Sequence, residues 1–227
     1  MNPAAHRRFK DGLFRELARV GRALANPHRL ELLDLLAQGE RTVDALARLT
    51  GMSLANTSQH LQVLRGGRLV SVRREGSSSY YRLAGDGVFD VWRAVRDLGQ
   101  TQLAEIDRLV QTFVSARARF RSVSAPELLQ RMREGDVLVL DVRPALEYAA
   151  GHIAGARSVP VDELEKRLKR IPKSREIVAY CRGPLCVFAD EAVARLRRKG
   201  YRARRLDVGF PDWRAAGLPV TGPGGSP

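Results

Sequence analysis

Cysteine is almost missing from this chain. Only Cys181 and Cys186 occur in 227 residues, both within the stretch "IVAYCRGPLCVFADEA". Two thiols so placed do not make a secreted disulfide framework. With no C-x-x-C pair and no cluster among the four histidines, they do not build a four-ligand zinc site by themselves either. Long apolar runs are missing too: nothing approaches the roughly 20 residues that cross a bilayer. The start, Met1 to Lys10, carries His6, Arg7 and Arg8 but no apolar stretch of the kind a secretory signal needs. The expectation is a cytoplasmic protein with no membrane role, no bound metal and no cofactor. Lysine is scarce, five of the 39 basic residues, so the net charge of +14 is carried by arginine. That charge is spread evenly, 19 basic against 12 acidic residues in 1–120 and 20 against 13 in 121–227. A basic balance favours partners such as nucleic acid, but an arginine-rich composition contributes to it, and charge alone decides nothing.

What is present reads as two domains, since the chain is long enough to bury two cores and is 44% hydrophobic. Leu13, Leu17, Val20 and Leu24 recur at helical steps. "ANPHRLELLDLLAQG" follows, with Asn26 as N-cap, Pro27 at the first helical position and Gly39 as stop. Two short helices, Thr42 to Leu49 and Ser53 to Leu64, are joined by a turn at Gly51. "LVSVRREGSSSYYRL" then reads as two strands around Glu75 and Gly76. Three helices and a hairpin make a winged helix-turn-helix. From Val88 to about Phe120 an unbroken helix is predicted, its apolar stripe too long for so small a domain and suited to pairing with a second copy. The boundary falls around Arg119 to Ser124. Beyond it "DVLVLDV", "EIVAYC" and "ARRLDVG" are strands of the buried parallel type, and "VDELEKRLKRI" and "DEAVARLRRKGY" are helices. The domains are therefore 1–120, an α+β winged helix-turn-helix with a long dimerisation helix, and 121–220, an α/β domain with a parallel sheet. Residues 221–227 form a loose tail.

In the first domain Ala47 is small enough for a close helix crossing and Gly51 tolerates a left-handed turn, with Leu46, Leu49, Leu61 and Leu64 facing the core. That leaves Leu54, Ala55, Asn56, Ser58 and Gln59 on the outer face of the second helix. Asn and Gln pair bidentately with adenine, Ser with several bases, and Leu or Ala packs on a thymine methyl, so the face suits a major groove as well as it suits solvent. Arg73, Arg74 and Arg82 flank a hairpin that would lie along phosphates, which favours DNA. His60 reads as a helix-packing residue. Together "ALANPHRLELLDLL", "TVDALARLTGMSLANTSQHLQVLRGGRLVSVRREGSSSYYRL" and the long final helix resemble the ArsR/SmtB family of dimeric winged-helix repressors over residues 12–120. The resemblance implies a homodimer joined through its terminal helices and repression relieved by an inducer, and a two-fold dimer in turn predicts an inverted-repeat operator in double-stranded DNA. "TVDALARL" lacks the cysteine pair of the metal-sensing members, and the long helix has no His.

In an open parallel sheet, ligands sit beyond the carboxyl ends of the strands, where Cys181 falls. A loop whose N–H groups turn inward at a helix N-terminus near Val187 would favour an anion and lower the pKa of a thiol, and Arg182 adds charge. The candidate site is the whole loop: Cys181, Arg182, Gly183, Pro184, Leu185, Cys186 and Val187. A C-x5-R phosphatase loop is excluded, because the sixth residue after Cys181 is Val187. "VLVLDVRPALEYAAGHIAGARSVP", "IVAYCRGPLC" and "LDVGFPDWRAAGLPV" resemble a rhodanese domain over residues 124–220. That implies a persulfide carried on Cys181, taken from a sulfane donor and passed to a thiol, with Asp141, Arg143, His152 and Trp213 structural. Pro184 stands where such loops usually have Gly, and Cys186 where they have no thiol, so slow turnover with thiosulfate is expected. Cys186 is either a resolving cysteine, attacking a persulfide or sulfenic acid on Cys181, or a small filler against the sheet. The leading expectation is a DNA-binding repressor whose rhodanese domain responds to a small sulfur donor or oxidant through Cys181. Its rivals are a working sulfurtransferase tethered to DNA, a catalytically dead rhodanese module that recruits a partner, and a two-thiolate site for a soft ion such as arsenite.

Overall fold

Asparagine followed by proline opens each of the first two helices. Asn2 accepts a hydrogen bond from the N–H of Ala4 at the head of α1 (Pro3–Leu24), and Asn26 accepts from Arg29 at the head of α2 (Pro27–Ala37). A two-residue strand, β1 (Arg41–Thr42), runs into α3 (Val43–Thr50), capped by Thr42. Gly51, at φ 69°, supplies the left-handed turn expected of it, and Ser53 caps α4 (Leu54–Gly66). The hairpin of β2 (Val70–Glu75) and β3 (Ser78–Leu83) turns at Gly76, and β1 completes an antiparallel sheet in the order β1-β3-β2. Leu32, Leu33, Leu46, Leu61 and Leu64 are fully buried at the centre, with Val70 and Tyr81 from the sheet. Leu49, expected in this core, is 45% exposed. The buried face of α3 is centred on Leu46 and Ala47, and Leu49 lies on its rim.

The structure is a computed structural model that describes residues 2–113, 122–168 and 171–222, and the chain divides into two units, Met1–Val95 and Arg96–Pro227. The long helix expected from Val88 is interrupted. α5 (Asp86–Gln102) ends before Leu103, and α6 (Ala104–Phe113) begins after it. Leu103 still donates to the carbonyl of Gly99, and Ile106 donates to Leu103, so the chain turns tightly. Ile106 then occupies space that a Cβ on Gly99 would enter, its Cδ1 3.1 Å away. The rest of the expected helix, and the expected boundary at its end, fall largely on residues outside those described, as do residues 223–227 of the tail.

The second unit is built on a parallel sheet in the order β6-β4-β7-β8, made of β4 (Val137–Asp141), β6 (Arg157–Ser158), β7 (Glu176–Tyr180) and β8 (Ala203–Arg205). Val123 forms a parallel bridge with Leu206 beyond β8, and β5 (His152–Ile153) pairs with β9 (Val220–Thr221) in a separate antiparallel ribbon that the sequence did not reveal. Side chains alternate across the sheet, so the unbroken apolar runs fill two cores. Leu138, Leu140, Val142, Ile177, Ala179 and Cys181 face α9 (Leu164–Arg167) and α10 (Phe188–Arg198). Val139, Val178 and Tyr180 face α7 (Ala125–Glu134) and α11 (Phe210–Ala215), where Phe210 and Trp213 are buried. α8 (Ala145–Ala150) leads into β5. Helix over "VDELEKRLKRI" is limited to the single turn of α9 among the described residues.

Candidate functional site

Cys181 follows the last residue of β7 and lies on the α10 side of the sheet, 2% exposed, as part of the core. Cys186, five residues on, is half-buried and packs against the edge of that core. The two are joined as a disulfide, with their Cα atoms 6.3 Å apart. The loop between them is drawn in by its own turn, the N–H of Cys186 donating to the carbonyl of Gly183 at 3.1 Å. That N–H is therefore committed within the loop rather than offered to an anion. α10 begins at Phe188 with no side-chain cap.

Four residues that sequence reasoning did not assign hold this loop. Glu147, on α8 and 1% exposed, receives Arg182 as a fork, with Nε 3.1 Å from both carboxylate oxygens and one terminal nitrogen 2.7 Å from Oε1. The charge expected of Arg182 is thus matched by a carboxylate. Arg205, at the end of β8, donates to the carbonyl of Pro184 at 3.3 Å and stands 3.5 Å from Asp190, which is fully buried in the first turn of α10. Gly209 lies so close beneath Arg182 and Gly183 that a Cβ there would fall 2.1 Å from the Arg182 carbonyl oxygen, and Phe210 donates its N–H to the Cys181 carbonyl. A glutamate inside "DVR…E…GHIAGA" and the glycine of "GFPDW" were visible as motif letters. Nothing in the pattern signalled a loop contact from Arg205 or its pairing with Asp190.

The residues expected to be structural are. Asp141 and Arg143 are fully buried and paired at 2.6 Å, and Arg143 also donates to the Gly151 carbonyl. Burial opposes the charge on Arg143, but Asp141 outweighs it and raises the pKa of the guanidinium. Tyr180, buried beside Asp141, has its pKa pushed well up by desolvation first and by that carboxylate second. Its hydroxyl accepts from the N–H of Ile153. His152 stacks on Tyr148 at 3.7 Å, and the indole of Trp213 donates to the Pro219 carbonyl.

In the first unit α4 presents Leu54, Ala55 and Gln59 to solvent and Asn56 and Ser58 half-exposed, while Thr57 turns into the core. His60 packs 5.4 Å from His28, its pKa lowered by burial first and by His28 and Arg29 after it. The three wing arginines differ. Arg73 is bound by Glu40 at 2.8 Å and by Glu75, lies over the Tyr80 ring, and has its pKa raised by those carboxylates, Glu40 first. Arg82 shares that face of the hairpin and bonds Ser71. Arg74 is exposed on the opposite face, beside Ser79.

Residues 26–72 match the family described as bacterial regulatory protein, arsR family, and residues 124–216 match the rhodanese-like domain. The HTH-type transcriptional regulator Rv0324 of Mycobacterium tuberculosis is 46% identical over 211 residues, spanning 93% of this chain and 92% of its own. The chain is an ArsR-family transcriptional regulator with a rhodanese-like domain. This regulator is also similar to a sulfurtransferase of Allochromatium vinosum, 35% identical over 105 residues and covering 45% of this chain and 96% of that one. A solution structure described as the homodimeric winged helix-turn-helix DNA-binding domain of Mb0332 from Mycobacterium bovis is 50% identical, with TM-score 0.40, covering 41% of this chain and 87% of that one. In this ArsR-family regulator the family match spans the whole α4 face, whereas Arg73, Arg74 and Arg82 lie just beyond it. The rhodanese-like match includes the cysteine loop and the Gly209–Trp213 motif. Among the described residues no helix is long and apolar enough to cross a membrane.

Proposed function

We propose that this regulator binds an inverted-repeat operator as a homodimer, and that sulfur or oxidant chemistry at Cys181 changes that binding. The observation that carries the reading is the pair of thiols joined within one loop between β7 and α10. In the open loop a Cys181 thiolate takes the terminal sulfur of a polysulfide, becoming a persulfide and leaving the donor one sulfur shorter. A peroxide instead converts it to a sulfenic acid, and Cys186 then displaces water to close the disulfide. Leu54, Ala55, Asn56, Ser58 and Gln59 read base edges, and Arg74 and Arg82 meet phosphates. Dimerisation is supported by the apolar side chains that α1 and α5 leave exposed, among them Phe14, Leu17, Val91 and Leu98. An operator titration of wild type, Cys181→Ser and Cys186→Ser, reduced and polysulfide-treated, tests the proposal. Polysulfide should lower affinity in wild type and leave Cys181→Ser unchanged. Identical wild-type curves, with sulfur on the loop confirmed by mass, would overturn it.

A second reading, a working sulfurtransferase, is favoured by the resemblance to the Allochromatium vinosum protein of that name. Thiosulfate:cyanide transfer that is fast, is lost in Cys181→Ser and is unrelated to operator affinity would establish it instead.

A further inference from the structure

The two sulfurs of the closed loop are not equally open to attack. A nucleophile cleaves a disulfide by approaching along the S–S axis, from the side opposite the sulfur that leaves. Cys181 offers almost no surface to such an approach: the residue is 2% exposed and belongs to the buried cluster with Val142, Ala189 and Val193. An anion pressed among those apolar side chains would lose hydration that they cannot replace. Cys186 is half-buried and only flanks that cluster.

We propose that hydrosulfide opens the Cys181–Cys186 disulfide by attacking the sulfur of Cys186, so that the closed loop takes up sulfide as a persulfide on Cys186. The inference rests on the reading of the loop as a sulfur-responsive site. A bond forms between the incoming sulfur and Cys186 Sγ, and the bond from Cys186 to Cys181 breaks. Its electron pair leaves with Cys181 as a thiolate, and the proton of hydrosulfide remains on the new persulfide or passes to water. The disulfide is the oxidant, and no other is needed. The closed loop therefore has a different substrate from the open one: sulfane donors load Cys181 when the loop is open, and sulfide loads Cys186 when it is closed. By reversibility, closure through a Cys181 persulfide passes through attack at the buried sulfur and is the slower route.

The chain itself provides the readout. Trypsin cuts after Arg182, placing Cys181 in the peptide 176–182 and Cys186 in the peptide 183–195. The full-length disulfide form is treated with sodium hydrosulfide, quenched early with iodoacetamide, digested and weighed. The extra sulfur is expected on 183–195 in roughly tenfold or greater excess over 176–182. Cys181→Ser, which has no disulfide to reduce, should gain none. Extra sulfur mainly on 176–182, a disulfide that hydrosulfide leaves closed, or sulfur gained by Cys181→Ser would each overturn the proposal. The location is read without DNA, so the result stands whether or not operator affinity responds.

Discussion

Gly209 has no space for a side chain, because its would-be Cβ falls within 2.4 Å of three backbone atoms of Arg182 and Gly183. Those atoms belong to the loop and cannot swing aside. Gly209→Ala should therefore destabilise the second unit by about 3 kcal/mol or more, read as a lowered urea midpoint. Single residues on α4 carry the opposite kind of consequence. Asn56→Ala or Gln59→Ala should lose roughly 1–3 kcal/mol of discrimination at one base pair with little change in stability, measured by titrating operators altered one position at a time. The outward placement of Asn56 and Gln59 on α4 and the position of Cys181 at the end of β7 were legible from the sequence, because helical spacing and an apolar strand run fix them. Gly209 was visible only as a motif letter, since the atoms that crowd it come from residues far earlier in the chain.

Elements were legible where local chemistry decides them. The Asn26 cap before Pro27, the glycine turn at Gly51 and the apolar strands all stand in the structure. The break at Leu103 was not, because no proline marks it; the observable that accompanies it, Ile106 against Gly99, is a tertiary contact. The β5–β9 ribbon was hidden for a similar reason: two-residue strands leave no period to read. At this scale Arg205 joins β8, the loop and α10, so Arg205→Ala should cost roughly 3 kcal/mol by removing its pairing with buried Asp190. It should also speed alkylation of the reduced cysteines, which a purely structural loss elsewhere would not do. Glu176 at the start of β7 is held by Arg131 and Arg204, each at 2.6 Å. Burial raises its pKa, but the hydrogen bonds from Arg131 and then Arg204 outweigh it, so the net shift is downward. A lowered carboxylate pKa stabilises the fold above the unfolded value, and that stability is lost as pH falls through the folded value. Glu176→Gln should flatten the acid side of the stability profile, measured by urea unfolding across the acidic range.

The molecule as a whole is strongly basic, yet its arginines are not equivalent toward DNA. Arg73 is already bound by Glu40 and Glu75, whereas Arg74 is exposed. Arg74→Ala should reduce the slope of log affinity against log salt by about 1, and Arg73→Ala by less, because only a phosphate contact releases counterions. The sequence supplied the charges but not their partners, since Glu40 lies 33 positions from Arg73. The parallel sheet carries one more consequence. Its edge at β6 is two residues long and includes exposed Arg157, while beyond β8 the chain's own Val123 bridges Leu206. A strand from another molecule finds little backbone to zip onto at either border, so the sheet is guarded against edge-to-edge aggregation when the protein is concentrated.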